Sequence, residues 1–133
     1  MMQASPIRDK SVQEEICGMC GVKYDPDALA YSITEDGKIT GICQFGIKGK
    51  CGYIYDLENV IGIKDNESLF IVGRAAMNFI DLCGVHEAYY VNVSESNEAF
   101  VKALGFRKNE DGRFYINMEG FFTGGCKKMN SVD

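Results

Sequence analysis

Apolar residues recur along the chain in two rhythms. Leu29, Tyr31 and Ile33 alternate with Ala30, Ser32 and Thr34, the two-residue period of a strand with one buried face. Glu35-Asp36-Gly37-Lys38 breaks the alternation with an Asp-Gly pair, which between two such runs predicts a tight hairpin and a second strand over residues 39–47. Lys48-Gly49-Lys50 marks another turn, after which Tyr53, Tyr55 and Leu57 alternate into a third strand reaching about Val60. Three consecutive strands joined by tight turns predict an antiparallel meander.

From Asp65 to Cys83 the period lengthens to that of a helix. Leu69, Val72, Ala76, Phe79, Ile80 and Cys83 share one side and Arg74, Asn78 and Asp81 a narrow wet stripe, so the helix is expected to pack across a sheet and stop at Gly84. Tyr89, Val91 and Val93 against Ala88 and Tyr90 predict a fourth strand over residues 87–93, and residues 97–104 a short helix closed by Gly105. Phe106 to Asn109, the turn Glu110-Asp111-Gly112 and residues 113–122 complete a last hairpin with Phe114, Ile116 and Met118 inward. Upstream, Ser11-Val12-Gln13-Glu14 has the spacing of a capping box and predicts a helix from Ser11 to about Met19. A helix long enough to cross the sheet lets the strands on either side of it lie parallel. The expected fold class is α/β (α+β): a mixed, mostly antiparallel sheet of about six strands with a long crossover helix.

The chain has 133 residues, 46% of them hydrophobic and 25% charged, which predicts one globular domain over 1–133. Its core is expected at about 28–122, behind an N-terminal helix at about 11–20 and ahead of a frayed tail from Thr123. The net charge of −5 and the absence of a basic run argue against nucleic acid as a partner. Apolar runs of only a few residues argue against a membrane span, and with no export signal the expected location is cytoplasmic. Six cysteines in that setting are expected to be reduced. Cys17-Gly18-Met19-Cys20 is a C-x-x-C pair, but a structural zinc takes four ligands and no second such pair follows, so no metal site is expected.

The segment Ala99-Phe100-Val101-Lys102-Ala103-Leu104-Gly105-Phe106, followed by a hairpin ending Tyr115-Ile116-Asn117-Met118-Glu119, resembles the C-terminal motif of the GNAT superfamily of acyl-CoA-dependent N-acyltransferases. The order of the preceding elements is also similar, over roughly residues 28–122. The resemblance implies transfer of an acetyl group from acetyl-CoA to a small amine; separately, the nearly all-apolar long helix, if shared between two subunits, makes the protein a candidate homodimer. It assigns Glu58 as the catalytic carboxylate, with Asp56 two positions away on the same strand face, where neighbouring charges raise each other's pKa. The backbone of Val60 and Ile61 falls where the family holds pantetheine, and the helix start at Asn66 and Ser68 where it holds phosphate.

The sequence departs from the family pattern at three places. The family's Q/R-x-x-G-x-G/A loop is replaced by Gly62-Ile63-Lys64-Asp65-Asn66-Glu67-Ser68-Leu69, in which Asp65 or Asn66 reads as an ordinary helix cap. The family's proton-donating tyrosine position is Val101, leaving Tyr89 or Tyr90 on the neighbouring strand, of which Tyr90 is taken as the donor. Only one helix precedes the meander. These departures leave a second expectation, a non-catalytic ligand-binding or dimerisation module on the same scaffold.

Overall fold

The computed structural model describes residues 1–122; the tail beginning at Thr123, with Cys126, lies outside the described residues. Its hairpin at Asp36-Gly37 forms as the sequence predicts, both residues taking positive φ (52° and 84°) to match the twist of the strands they join. Those strands, β2 (Leu29–Glu35) and β3 (Lys38–Lys48), continue through the Lys48-Gly49-Lys50 turn into β4 (Cys51–Asn59), all antiparallel. Ahead of them lie β1 (Met2–Pro6) and α1 (Lys10–Met19); after them come α2 (Asn66–Leu82), β5 (Glu87–Tyr90), α3 (Glu98–Leu104), β6 (Arg107–Lys108) and β7 (Phe114–Asn117). The sheet is seven-stranded, in the order β1-β2-β3-β4-β5-β7-β6, and β4 with β5 is the parallel pair that the crossover through α2 creates.

Four boundaries differ from expectation for identifiable reasons. The edge strand β1 pairs with β2 from Met2↔Glu35 to Pro6↔Tyr31. Its sequence, Met-Gln-Ala-Ser-Pro, sets Met2 and Ala4 against the core in a run too short to stand out as a strand, and the proline is tolerated at an edge end. Helix α1 is capped two residues earlier than the Ser11 box suggests: the Asp9 carboxylate accepts the Ser11 amide at 2.8 Å, and Ser11 itself is helical. β5 stops at Tyr90 instead of running to Val93, and β7 at Asn117 instead of Phe122.

The core lies between the sheet and α2. Leu69, Val72, Ala76, Met77 and Ile80 bury against Ile33, Cys43, Phe45, Ile54 and Leu57, and α3 adds Val101 and Leu104. Arg74, expected on the wet stripe, is half-buried instead. Its Nε donates to the Leu104 carbonyl at 3.0 Å and its guanidinium lies 4.5 Å from the Phe70 ring centre, so it closes the C-terminal end of α3. On the other face of the sheet, α1 sets Ile16, Cys17 and Cys20 against Ala30 and Ile42. That second layer covers β2 and β3 only.

Helix α2 approaches β4 most closely at Gly52, where an added Cβ would meet Ile80 Cγ2 at 2.7 Å. Gly52→Ala is therefore expected to destabilise the protein by about 1–3 kcal/mol through overpacking, read as a lower urea midpoint with an unchanged slope.

Candidate functional site

β4 and β5 start as a regular parallel pair, Cys51↔Glu87 through Ile54↔Tyr90, and the Val91 amide adds one more bond to the Ile54 carbonyl at 2.9 Å. The ladder then fails because β4 carries a bulge: Gln44 faces Asp56 and Phe45 faces Ile54, leaving Tyr55 without a partner. The carbonyl of Tyr55 is taken by a side chain, Asn92 Nδ2 at 2.8 Å. Asn97 in turn holds the Asn92 carbonyl (3.0 Å) and the Ser94 amide (2.8 Å), turning the chain away from the sheet. Past this point β4 continues to Asn59 without β5 beside it, and the two enclose a cleft of about 1090 Å³ that ends at the start of α2. The bulge also reverses which backbone groups face the gap. The Val60 amide donates to Thr40 of β3 at 2.9 Å, so by alternation the peptide groups of Leu57 and Asn59 face the opened seam.

Asn59 organises the floor of the cleft. Its Oδ1 accepts the Asp65 amide (2.9 Å), and its Nδ2 donates to the Thr40 carbonyl (3.0 Å) and to Ser68 Oγ (3.1 Å). One side chain thus ties the end of β4 to the first turn of α2. Asp65 is the helix cap, accepting the Ser68 amide at 3.1 Å. Two corrections to the expected ligand contacts follow. Ser68 is fully buried, with its amide and hydroxyl both spent on Asp65. The Val60 and Ile61 amides are likewise used inside the chain, on Thr40 and Met19; the two residues border the cleft through their side chains. Asn66 does line the cleft, and its amide and that of Glu67 are the first-turn donors with no partner within the described chain. The carboxylates of Asp65 and Glu67 do not border the cleft, whereas Lys64 does and is its one basic side chain.

The carboxylate pair is present on β4. Asp56 Oδ2 accepts Gln44 Nε2 at 2.8 Å, Gln44 Oε1 accepts Gln13 Nε2 at 2.8 Å, and Gln13 Oε1 accepts Lys10 Nζ at 3.1 Å. Gln13 and Gln44 are both fully buried. Partial burial raises the Asp56 carboxyl, opposed by the Gln44 hydrogen bond. Glu58 opens on the cleft, and its carboxyl too is raised, first by loss of water and then by the charge on Asp56. Tyr90, on the facing strand, is 5% exposed and its hydroxyl makes no hydrogen bond within the described chain. No side-chain nitrogen or oxygen among the described residues is both sealed and unpartnered, so that hydroxyl reaches the cleft. Burial pushes its pKa upward, and the phenol stays protonated. Val101, by contrast, is fully buried on the inner side of α3.

Cys17 and Cys20 are buried thiols whose pKa values rise to about 11 and about 12 through loss of water, and among the described residues no cluster of His, Cys, Asp and Glu has metal-binding geometry. His86 sits in the loop after α2 with Nδ1 at 2.6 Å from Asp81 Oδ1. Among the described residues no helix is long and apolar enough to cross a membrane. Asn59, Asn92, Gln13 and Gln44 were not singled out by the sequence reading. The signal available for Gln44 and Gln13 was a polar residue at a position whose neighbours are buried, which in a satisfied core means a built hydrogen-bond network.

No protein-family model and no curated protein matches this sequence, but solved structures match the fold. The chain is similar to IAA acetyltransferase from Bacillus cereus, at 14% identity and a TM-score of 0.70 over 88% of this chain and 99% of that one. It is similar to the spermidine/spermine N-acetyltransferase from Vibrio cholerae, at 10% identity and 0.70 over 93% and 99%. The PaiA N-acetyltransferase from Thermoplasma acidophilum, solved in complex with coenzyme A, matches at 12% identity and 0.66 over 88% and 99%. At such identities the fold is what is shared. The chain therefore shares its fold with these solved N-acetyltransferases.

Proposed function

We propose that the cleft between β4 and β5 binds acetyl-CoA and that the protein transfers the acetyl group to a small amine. The observation that carries this reading is the parting of the two strands after Ile54 and Tyr90, which exposes strand backbone along one wall and leads to unpaired helix amides at the far end. An extended amide-bearing arm suits the peptide groups of Leu57 and Asn59. A diphosphate suits the amides of Asn66 and Glu67 at the positive end of α2, with Lys64 adding charge. The missing family glycines matter less than the sequence suggests. The Asp65 carboxylate is engaged in the helix cap, accepting the Ser68 amide at 3.1 Å, and leaves the amides of Asn66 and Glu67 unpaired within the described chain.

Bound acetyl-CoA supplies an activated thioester. Glu58 accepts a proton from the attacking nitrogen; its raised pKa brings it closer to working pH, where a general base is most effective. Tyr90, a neutral phenol open to the cleft, protonates the departing sulfur. The amide C–N bond forms as the thioester C–S bond breaks, and solvent returns the proton from Glu58 to Tyr90.

Acetyl-CoA at 100 times its Kd is expected to stabilise the protein by ~2.7 kcal/mol, seen as a thermal shift that pantetheine lacking the diphosphate does not reproduce. Release of free coenzyme A thiol in the presence of an amine panel then separates the enzyme from the binding module. A clear shift without thiol release sinks the transferase and leaves the module.

Glu58→Gln is expected to lower kcat by about 10²–10⁴ and to have the opposite effect on stability. A carboxyl whose pKa is raised by folding contributes stability below its unfolded value near 4 and loses it as pH rises through the folded value. The variant should therefore melt higher than the wild type at pH 8, with the difference closing toward pH 4. A difference that grows on acidification would place Glu58 in a stabilising ion pair instead.

A further inference from the structure

We propose that a trough on the opposite face of the sheet is the acceptor subsite, and that it takes an amine bearing both a flat aromatic ring and an anionic group, as an aromatic amino acid does. This rests on the acyl-CoA reading above and adds the class of acceptor. The trough, about 730 Å³, runs over β4, β5 and β7 where α1 leaves the sheet uncovered. It shares Tyr90, Val93 and Ser94 with the cleft, so the two spaces meet at the proposed proton donor.

The floor of the trough is tiled with tyrosine. Gly46 on β3 leaves room for the Tyr55 ring to lie down on the sheet: an added Cβ would stand 3.1 Å from its Cε2 and Oη. The Tyr53 ring is within 5° of parallel to Tyr55 at 6.3 Å, and Tyr89 within 20° of Tyr53 at 5.8 Å. With Arg113 over Tyr89, the near-parallel Tyr53 and Tyr55 rings are left as the aromatic surface with polar edges against which a planar ligand can stack.

One end of this floor is positive. The Arg113 guanidinium lies 4.0 Å from the Tyr89 ring centre, and its side-chain N–H groups make no hydrogen bond among the described residues, so they are available to a carboxylate. Lys48 and Lys108 also line the trough, and among the described residues none of the three cations is ion-paired. Of the two acids in the lining, Glu98 is held by Lys102 at 3.1 Å, leaving Glu95. Excess positive charge here, in a chain of net charge −5, favours an anionic group beside the ring and disfavours a polycation.

The test uses the purified protein with L-tryptophan, phenethylamine (ring without carboxylate), L-alanine (carboxylate without ring) and spermidine. Binding is followed by calorimetry without acetyl-CoA, and turnover by acetyl-CoA-dependent thiol release. L-tryptophan is expected to bind and to be the best acceptor. Arg113→Gln, a change at an exposed side chain, should raise KM for L-tryptophan at least tenfold with kcat and the KM for phenethylamine little changed; Gly46→Val, which displaces the Tyr55 ring, should weaken both aromatic ligands. L-tryptophan binding that Arg113→Gln weakens supports the trough even if no thiol is released, in which case the acyl-transfer reading alone fails. A protein that binds acetyl-CoA but prefers spermidine or L-alanine, or ignores both substitutions, overturns this inference and leaves that reading standing.

Discussion

A strand pair that begins to zip and then stops is the constraint on which the candidate site depends. A backbone carbonyl left without a donor inside a sheet costs on the order of 1–3 kcal/mol, so a seam does not stay open unless something satisfies its edges. Here the bulge at Tyr55 shifts the alternation of β4, and Asn92 Nδ2 takes the Tyr55 carbonyl that would otherwise call β5 back into register. On the far side of β4 the ladder to β3 resumes, with Asn59 paired to Gly41. β4 is therefore held rigidly from one side while the other side is released.

The same strand is anchored from beneath by a buried polar chain. Lys10, Gln13, Gln44 and Asp56 are linked in sequence, and the amide of Asp25 and the carbonyl of Lys23 take further positions on Gln44. Every member is satisfied, which is the condition under which a buried polar network specifies geometry instead of weakening the core. It fixes three things together: the seat of α1, the course of the 23–28 loop, and the direction of the Asp56 carboxylate just past the bulge. The carboxyls of Asp56 and Glu58 are raised because this arrangement partly withdraws them from water and because each carries like charge close by. The stability lost to that crowding is the kind of local cost that sites retain for chemistry.

On the opposite face α1 covers β2 and β3, and among the described residues the tyrosines of β4 and β5 line an open trough instead of a second core layer. Tyr115 joins Tyr89 at 5.4 Å and donates to Glu87 at 3.1 Å, so that even the outermost member of the row is fixed. The pattern that reads as ordinary strand alternation, Tyr53, Tyr55, Tyr89 and Tyr115 opposite Gly52, Ile54, Ala88 and Ile116, thus separates a buried face from a lined one.

Periodicity was enough to locate β2, β3, β4, α2, α3 and the closing hairpin, because each buries one face and the burial pattern is written directly into residue spacing. Asp-Gly and helix-stop glycines fixed the joints for the same local reason. Hydrogen bonds made by side chains over long separations left no such trace. Asn59 and Asn92 each resemble a loop residue until the sheet brings Thr40, Ser68 and Tyr55 to them, and the apparent acidic barrier at Asp65 vanishes only once the carboxylate has a helix amide to cap. The sequence by itself determined which faces are apolar, and hence the layers. Tertiary structure alone decided where two strands part and how the buried glutamines are paired, because both depend on partners brought together from 20 or more residues away, outside the reach of any local pattern.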